Sequence, residues 1–161
     1  MDPRLVPLAE LLRLNTRLYR NCLPGLADDA AQKRPSELTK SAAFLAAHLV
    51  DSRHYILHIL GAAEPSPLKG AEGGFNDIAQ VTSYPSLAEI RAAWTAVSEK
   101  VDRRLQKMTA AELDKTLDPG FPMDNKTVLG VFSFMVQHDS YHLGQLGLLR
   151  KHAGLPAMSY D

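Results

Sequence analysis

The sequence predicts an all-α fold, a four-helix bundle with long connections, and three observations carry that expectation. The 161 residues include 24 Leu and 20 Ala against 12 Val plus Ile. Leu and Ala favour helices, whereas β-branched residues favour strands. No run shows clean period-two alternation, and four long segments repeat their apolar residues at helical spacing. Length and composition fit one domain spanning residues 1–161, large enough to bury a core without disulfide or metal staples.

The first helix is expected over 3–22. Asp2 can cap it, Pro3 suits its first turn, and Pro24-Gly25 ends it. Leu5, Leu8, Leu12 and Tyr19 form its apolar stripe, and Asn15 interrupts that stripe as either a satisfied core amide or a site-lining one. The second helix is expected over 39–60, ending at Gly61, with Phe44, Leu45, Leu49, Tyr55, Ile56 and Ile59 on its apolar side. Residues 62–85 are rich in Gly and Pro and unusually long for a connection, which suits a crossover or a lid. The third helix starts at the capping box Ser86-x-x-Glu89 and continues through Leu87, Ile90, Trp94, Val97, Val101 and Leu105. A second capping box, Thr109-x-x-Glu112, predicts a short helix before the fourth long one. That last helix is expected over 126–152, capped by Asn125, with Lys151 and His152 in its final turn and Gly154 and Pro156 beyond.

Charge and motif content narrow the function. Lys plus Arg equals Asp plus Glu at 18 each, so the basic excess of a nucleic-acid binder is missing. No stretch is long and apolar enough to span a bilayer, and the acidic, proline-bearing N-terminus does not read as a signal peptide. The lone cysteine, Cys22, has no intrachain partner, which fits a reducing compartment, and the protein is expected to be cytoplasmic. The chain contains no HExxH, Glu-x-x-His, CxxC, GxGxxG or P-loop motif.

The six histidines are the informative residues. His138 and His142 stand one turn apart on the side of the last helix that carries Val131, Met135, Gln145 and Leu149. Both imidazoles should therefore face the core, where unpaired ring nitrogens are costly. His-x-x-x-His is a metal-ligand spacing of moderate specificity. His48 lies on the Phe44/Leu45/Ile59 side of the second helix and should face inward too. His54 and His58 read as surface or rim residues, and His152 as a helix-end cation. Three inward histidines suit a borderline divalent metal such as zinc or nickel. Three protein ligands leave coordination positions open, the pattern of a catalytic rather than a structural zinc site. Cys22 would be a fourth ligand only if the end of the first helix reached the cluster. Asp51, Tyr55, Asp139 and Tyr141 lie near these histidines in sequence and are candidates to orient an imidazole, Tyr55 foremost because it shares the His48 face.

The segment HDSYHLGQLGLLRKHAGLP resembles the last-helix signature of the DinB/YfiT-like superfamily, and SAAFLAAHLVDSRHYILHILG resembles its second helix. The resemblance implies a four-helix bundle whose metal is held by three histidines, here His48, His138 and His142, and implies a homodimer. It also implies a metal-dependent enzyme acting on a small molecule, such as a thiol-dependent S-transferase or isomerase using a low-molecular-weight thiol. A metal-binding, stress-related protein without turnover is the alternative. Where relatives often carry Glu after the first histidine of the pair, this chain has Asp139. Ser133, Ser140, Gly144 and Gly147 lie roughly opposite the histidines and would admit another helix closely, from this chain or a partner.

Overall fold

The computed structural model describes residues 1–161. Four long helices, α1 (Val6–Cys22), α3 (Ala42–Ile59), α4 (Leu87–Leu105) and α6 (Val128–His152), make up the body. Two short ones, α2 (Asp28–Gln32) and α5 (Ala110–Leu113), sit in the connections, and there are no strands. A 3-10 turn, Pro3–Leu5, leads into α1, with the Asp2 side chain accepting from the Arg4 amide.

The cross-helix hydrogen bonds fix the topology. Asn15 meets Val136 and Ser140 while Arg150 meets Cys22, so α1 and α6 run parallel. Tyr19 meets Ala46 and Arg53 meets Leu12, so α3 runs against α1. Trp94 meets Thr16 and Arg13 meets Asp102, so α4 is also antiparallel to α1 and therefore parallel to α3. Two adjacent parallel helices need a connection that travels the full length of the bundle. Residues 62–85 are that crossover, and Phe75 anchors it by burying its ring beside Phe44 and Tyr84.

Most predicted elements are present with shifted ends. The boxes at Ser86/Glu89 and Thr109/Glu112 both close. The cap of α6 is Thr127, whose hydroxyl accepts from the Gly130 amide, and not Asn125. Asn125 instead accepts from the Thr127 hydroxyl, supporting the cap from one step out. The short α2 was not expected, because five residues are too few to display a period. Its Asp28 accepts from the Leu87 amide and so helps to start α4. No helix is long and apolar enough to cross a membrane. The small residues of α6 opposite the histidines meet different surroundings. Ser140 bonds to Asn15, Gly147 faces Met158 of the C-terminal segment, and Gly144 faces open space.

Candidate metal centre

His48, in the second turn of α3, and His138 and His142, one turn apart on α6, meet where these two antiparallel helices pack. One ring nitrogen from each of the three lies within 4.8 Å of the others. The ring centroids are 4.5 to 5.2 Å apart, and the His48 and His138 Nε2 atoms approach to 3.3 Å. The inward directions read from helical periodicity are thus realised in three dimensions.

Two of the rings are held in a metal-ready tautomer. His48 Nδ1 lies 2.8 Å from the Phe75 carbonyl, which only accepts, so the proton sits on Nδ1 and the Nε2 lone pair is free. His142 Nδ1 lies 2.7 Å from Gln145 Oε1, with the same consequence. Tyr141 extends that chain, its hydroxyl accepting from the Gln145 amide nitrogen. His138 Nδ1 is buried without a partner. If His138 keeps a proton on Nε2 for His48, its Nδ1 becomes a buried, unpaired acceptor. If it does not, two lone pairs face each other at 3.3 Å. A cation held by His48, His138 and His142 would remove that repulsion, and the donor set of three neutral imidazoles fits zinc or nickel.

The electrostatics favour neutral rings. Burial and the neighbouring His142 push His48 below its ordinary pKa, and burial lowers His142. His138 is pushed down to about 4 by burial and by the two other histidines. Neutral imidazole is the form that binds metal.

A cavity of about 500 Å³ opens against His48 and His138. Tyr55, Phe121, Phe134 and Met135 supply its apolar wall, Asp51, Ser52 and Asn76 its polar wall, and no Lys or Arg lines it. A second cavity of about 420 Å³ reaches His142, Tyr141 and Gln145. A small molecule can therefore approach the cluster from solvent.

The remaining candidates separate. Asp51 acts on His48 at one remove: its Oδ2 accepts from the Phe75 amide at 2.6 Å, and the Phe75 carbonyl holds the imidazole. Tyr55 lines the cavity and bonds to none of the three histidines. Asn15 spends its amide on Val136 and Ser140, which makes it the satisfied core asparagine. Asp139 is fully buried and takes the Arg53 Nε–H at 2.6 Å, so it orients a guanidinium and not an imidazole. His54 corrects the surface expectation. It is only 8% exposed, beneath the crossover, where its Nδ1 lies 3.2 Å from the Glu64 carbonyl. His58 and His152 are exposed, as expected. Cys22 lies outside the cluster, buried 3.1 Å from the Met158 sulfur, and burial pushes its thiol up to about 11. Sequence reasoning missed Phe75 and Gln145 as orienting groups. Gln145 was within reach, standing three residues after His142 on the same helix. Phe75 was not, because it acts through backbone atoms 27 residues from His48.

Fold and site together define a helical protein with an interior cluster of three convergent histidines beside an open cavity. The sequence matches the DinB superfamily over residues 11–146, and the chain belongs to that superfamily. Its fold is similar to that of a conserved protein from Enterococcus faecalis, with TM-score 0.75 at 15% identity, covering 94% of this chain and 96% of that one. A DinB-like protein from Bacillus cereus ATCC 10987 gives TM-score 0.69 at 19% identity, covering 94% of both chains. One from Bacillus subtilis gives 0.62 at 16%, covering 95% of this chain and 96% of that one. No curated protein matches the sequence.

Proposed function

We propose that the protein is a metal-dependent enzyme that binds zinc or nickel through His48, His138 and His142 and acts on a small molecule, as a thiol-dependent S-transferase or isomerase. The observation that supports this reading is the convergence of three neutral imidazoles beside a cavity, with no fourth protein ligand among them. A divalent ion so placed would favour the deprotonated form of a bound thiol or water near neutral pH. The chain's own contribution is positional. Phe75 and Gln145 keep two imidazoles aimed inward, and the apolar wall of Tyr55, Phe121 and Phe134 shelters the reacting group from bulk water. In this reading the protein works as a cytoplasmic homodimer.

The test is metal analysis of the purified protein, followed by a panel of low-molecular-weight thiols with model electrophiles. The expected result is about one divalent ion per chain. Turnover should vanish on chelation and return with added zinc or nickel. Turnover that persists in stripped protein would refute metal dependence. One ion per chain without turnover on any thiol would favour a binding protein instead.

A further inference from the structure

We infer that the turn at Gly74 and Phe75 is a working part of the metal site, with Asp51 as the positioning residue that holds it there. Metal occupancy and docking of the 62–85 crossover are then one coupled equilibrium. The inference rests on the reading of His48, His138 and His142 as metal ligands.

The geometry is a closed relay that begins and ends on α3. The Asp51 carboxylate stands one turn after His48 and accepts the Phe75 N–H at 2.6 Å. The Phe75 C=O accepts the His48 Nδ1–H at 2.8 Å. The same peptide residue is thus gripped on both its polar groups by two side chains of one helix. The turn is built for this grip. Gly74 has φ +87°, a conformation that side-chain-bearing residues rarely adopt, and a Cβ there would lie 2.8 Å from Asp51 Oδ2. The Phe75 ring is 1% exposed and packs against Phe44, so the backbone is anchored from its other side as well. Asn76, next in the chain, lines the cavity with His48 and His138. Loss of the grip would free the His48 ring to rotate and to exchange tautomers, and only one tautomer offers Nε2 inward. Coupling between two events is reciprocal. A metal that needs His48 in this orientation must therefore stabilise the docked crossover, and a docked crossover must raise metal affinity.

Three measurements on the full chain test this. Zinc affinity by chelator competition should fall about tenfold to a hundredfold in Asp51→Ala, the usual cost of losing a partner outside the ligand shell. Asp51→Asn keeps an oxygen acceptor for the Phe75 amide and should recover much of that loss. Long-range proton–nitrogen NMR at pH 8 should find metal-free His48 as the Nδ1–H tautomer in the wild type and as a mixture in Asp51→Ala. Hydrogen exchange of the wild type should slow at residues 70–82 when zinc is added, a readout that needs no variant to fold. Gly74→Ala, which attacks the same grip from the loop side, should lose affinity in the same direction. A folded Asp51→Ala with wild-type zinc affinity and an unchanged His48 tautomer would overturn the inference, as would exchange at 70–82 indifferent to zinc. If the wild type binds neither zinc nor nickel, the ligand assignment itself fails, and that result is distinct from both.

Discussion

Two polar centres occupy the interior between α3 and α6, and they are satisfied in opposite ways. One is the histidine cluster. The other is Arg53 with Asp139, both fully buried. Arg53 donates to Asp139, to the Thr16 hydroxyl and to the Leu12 carbonyl, lies 3.5 Å from the Ser98 hydroxyl, and stacks 4.3 Å over the Trp94 ring. A single side chain thus ties all four long helices together. Burial pushes the Asp139 carboxyl up and the Arg53 guanidinium down, and their mutual attraction opposes both shifts. Here the guanidinium finds its partners within the protein, and of the Asp139 oxygens only Oδ1 is left without one. The histidine cluster differs: its ring nitrogens converge on one another, and its outer partners serve only to aim them. His138 and Asp139 are consecutive, and neighbours on a helix point about 100° apart. One turn of α6 therefore feeds a structural centre and a binding centre at once.

The largest expected effect breaks the binding centre alone. His48→Ala, His138→Ala and His142→Ala should each abolish tight metal binding. His54→Ala, His58→Ala and His152→Ala should retain it, as measured by bound metal per chain after dialysis. Full retention in His48→Ala would dismiss the cluster as a metal site.

The Arg53 and Asp139 centre should respond in stability. Asp139→Ala leaves an unpaired buried guanidinium and should cost about 3–5 kcal/mol in chemical denaturation. The double change Arg53→Met with Asp139→Leu should recover most of that, because it removes both charges and keeps apolar volume. A double variant no better than Asp139→Ala would mean that the Arg53 bonds to α1, more than the ion pair, hold the bundle.

Acid separates the centres further. His48, His138 and His142 have folded pKa values below the ordinary 6.5, with His138 at about 4. Between those values the unfolded chain binds protons that the folded one refuses. The histidine contribution to stability is therefore present above pH 6.5 and is lost as pH falls through about 4. Histidine ring titration of the metal-free protein by NMR should place all three below 6.5 and His138 lowest. In metal-loaded protein, acid should eject the ion at lower pH than the metal-free rings titrate, because bound metal holds the same nitrogens against protons.

The smallest effect sharpens where α6 begins. Thr127→Ala should cost about 1 kcal/mol through loss of the cap on Gly130, and Asn125→Ala less, because the Asn125 side chain hydrogen-bonds to the Thr127 hydroxyl and not to the helix backbone. Equal costs would return the cap to Asn125.

Much of this molecule follows from local rules read along the chain. Helical periodicity and capping boxes are set within a few residues, so the four long helices, the short α5 and the inward sides of His48, His138 and His142 were legible. The resemblance of HDSYHLGQLGLLRKHAGLP to the superfamily's last helix was legible for the same reason, since the motif is contiguous. What tertiary structure alone decided concerns residues whose partners are distant. Arg53 and His54 are both buried on α3, although polar side chains of this kind favour the surface and His54 reads as a surface or rim residue. Helix α3 is flanked by α4 and α6 and covered by the crossover, and a helix covered on most sides has little solvent face to betray. Arg53 could be buried only because Asp139 waits 86 residues away. His48 is aimed by the backbone of Phe75, whose side chain carries no trace of that task. Helix formation and facing depend on neighbours in sequence, whereas satisfying a buried charge or fixing an imidazole depends on neighbours in space, and only the folded chain assigns those.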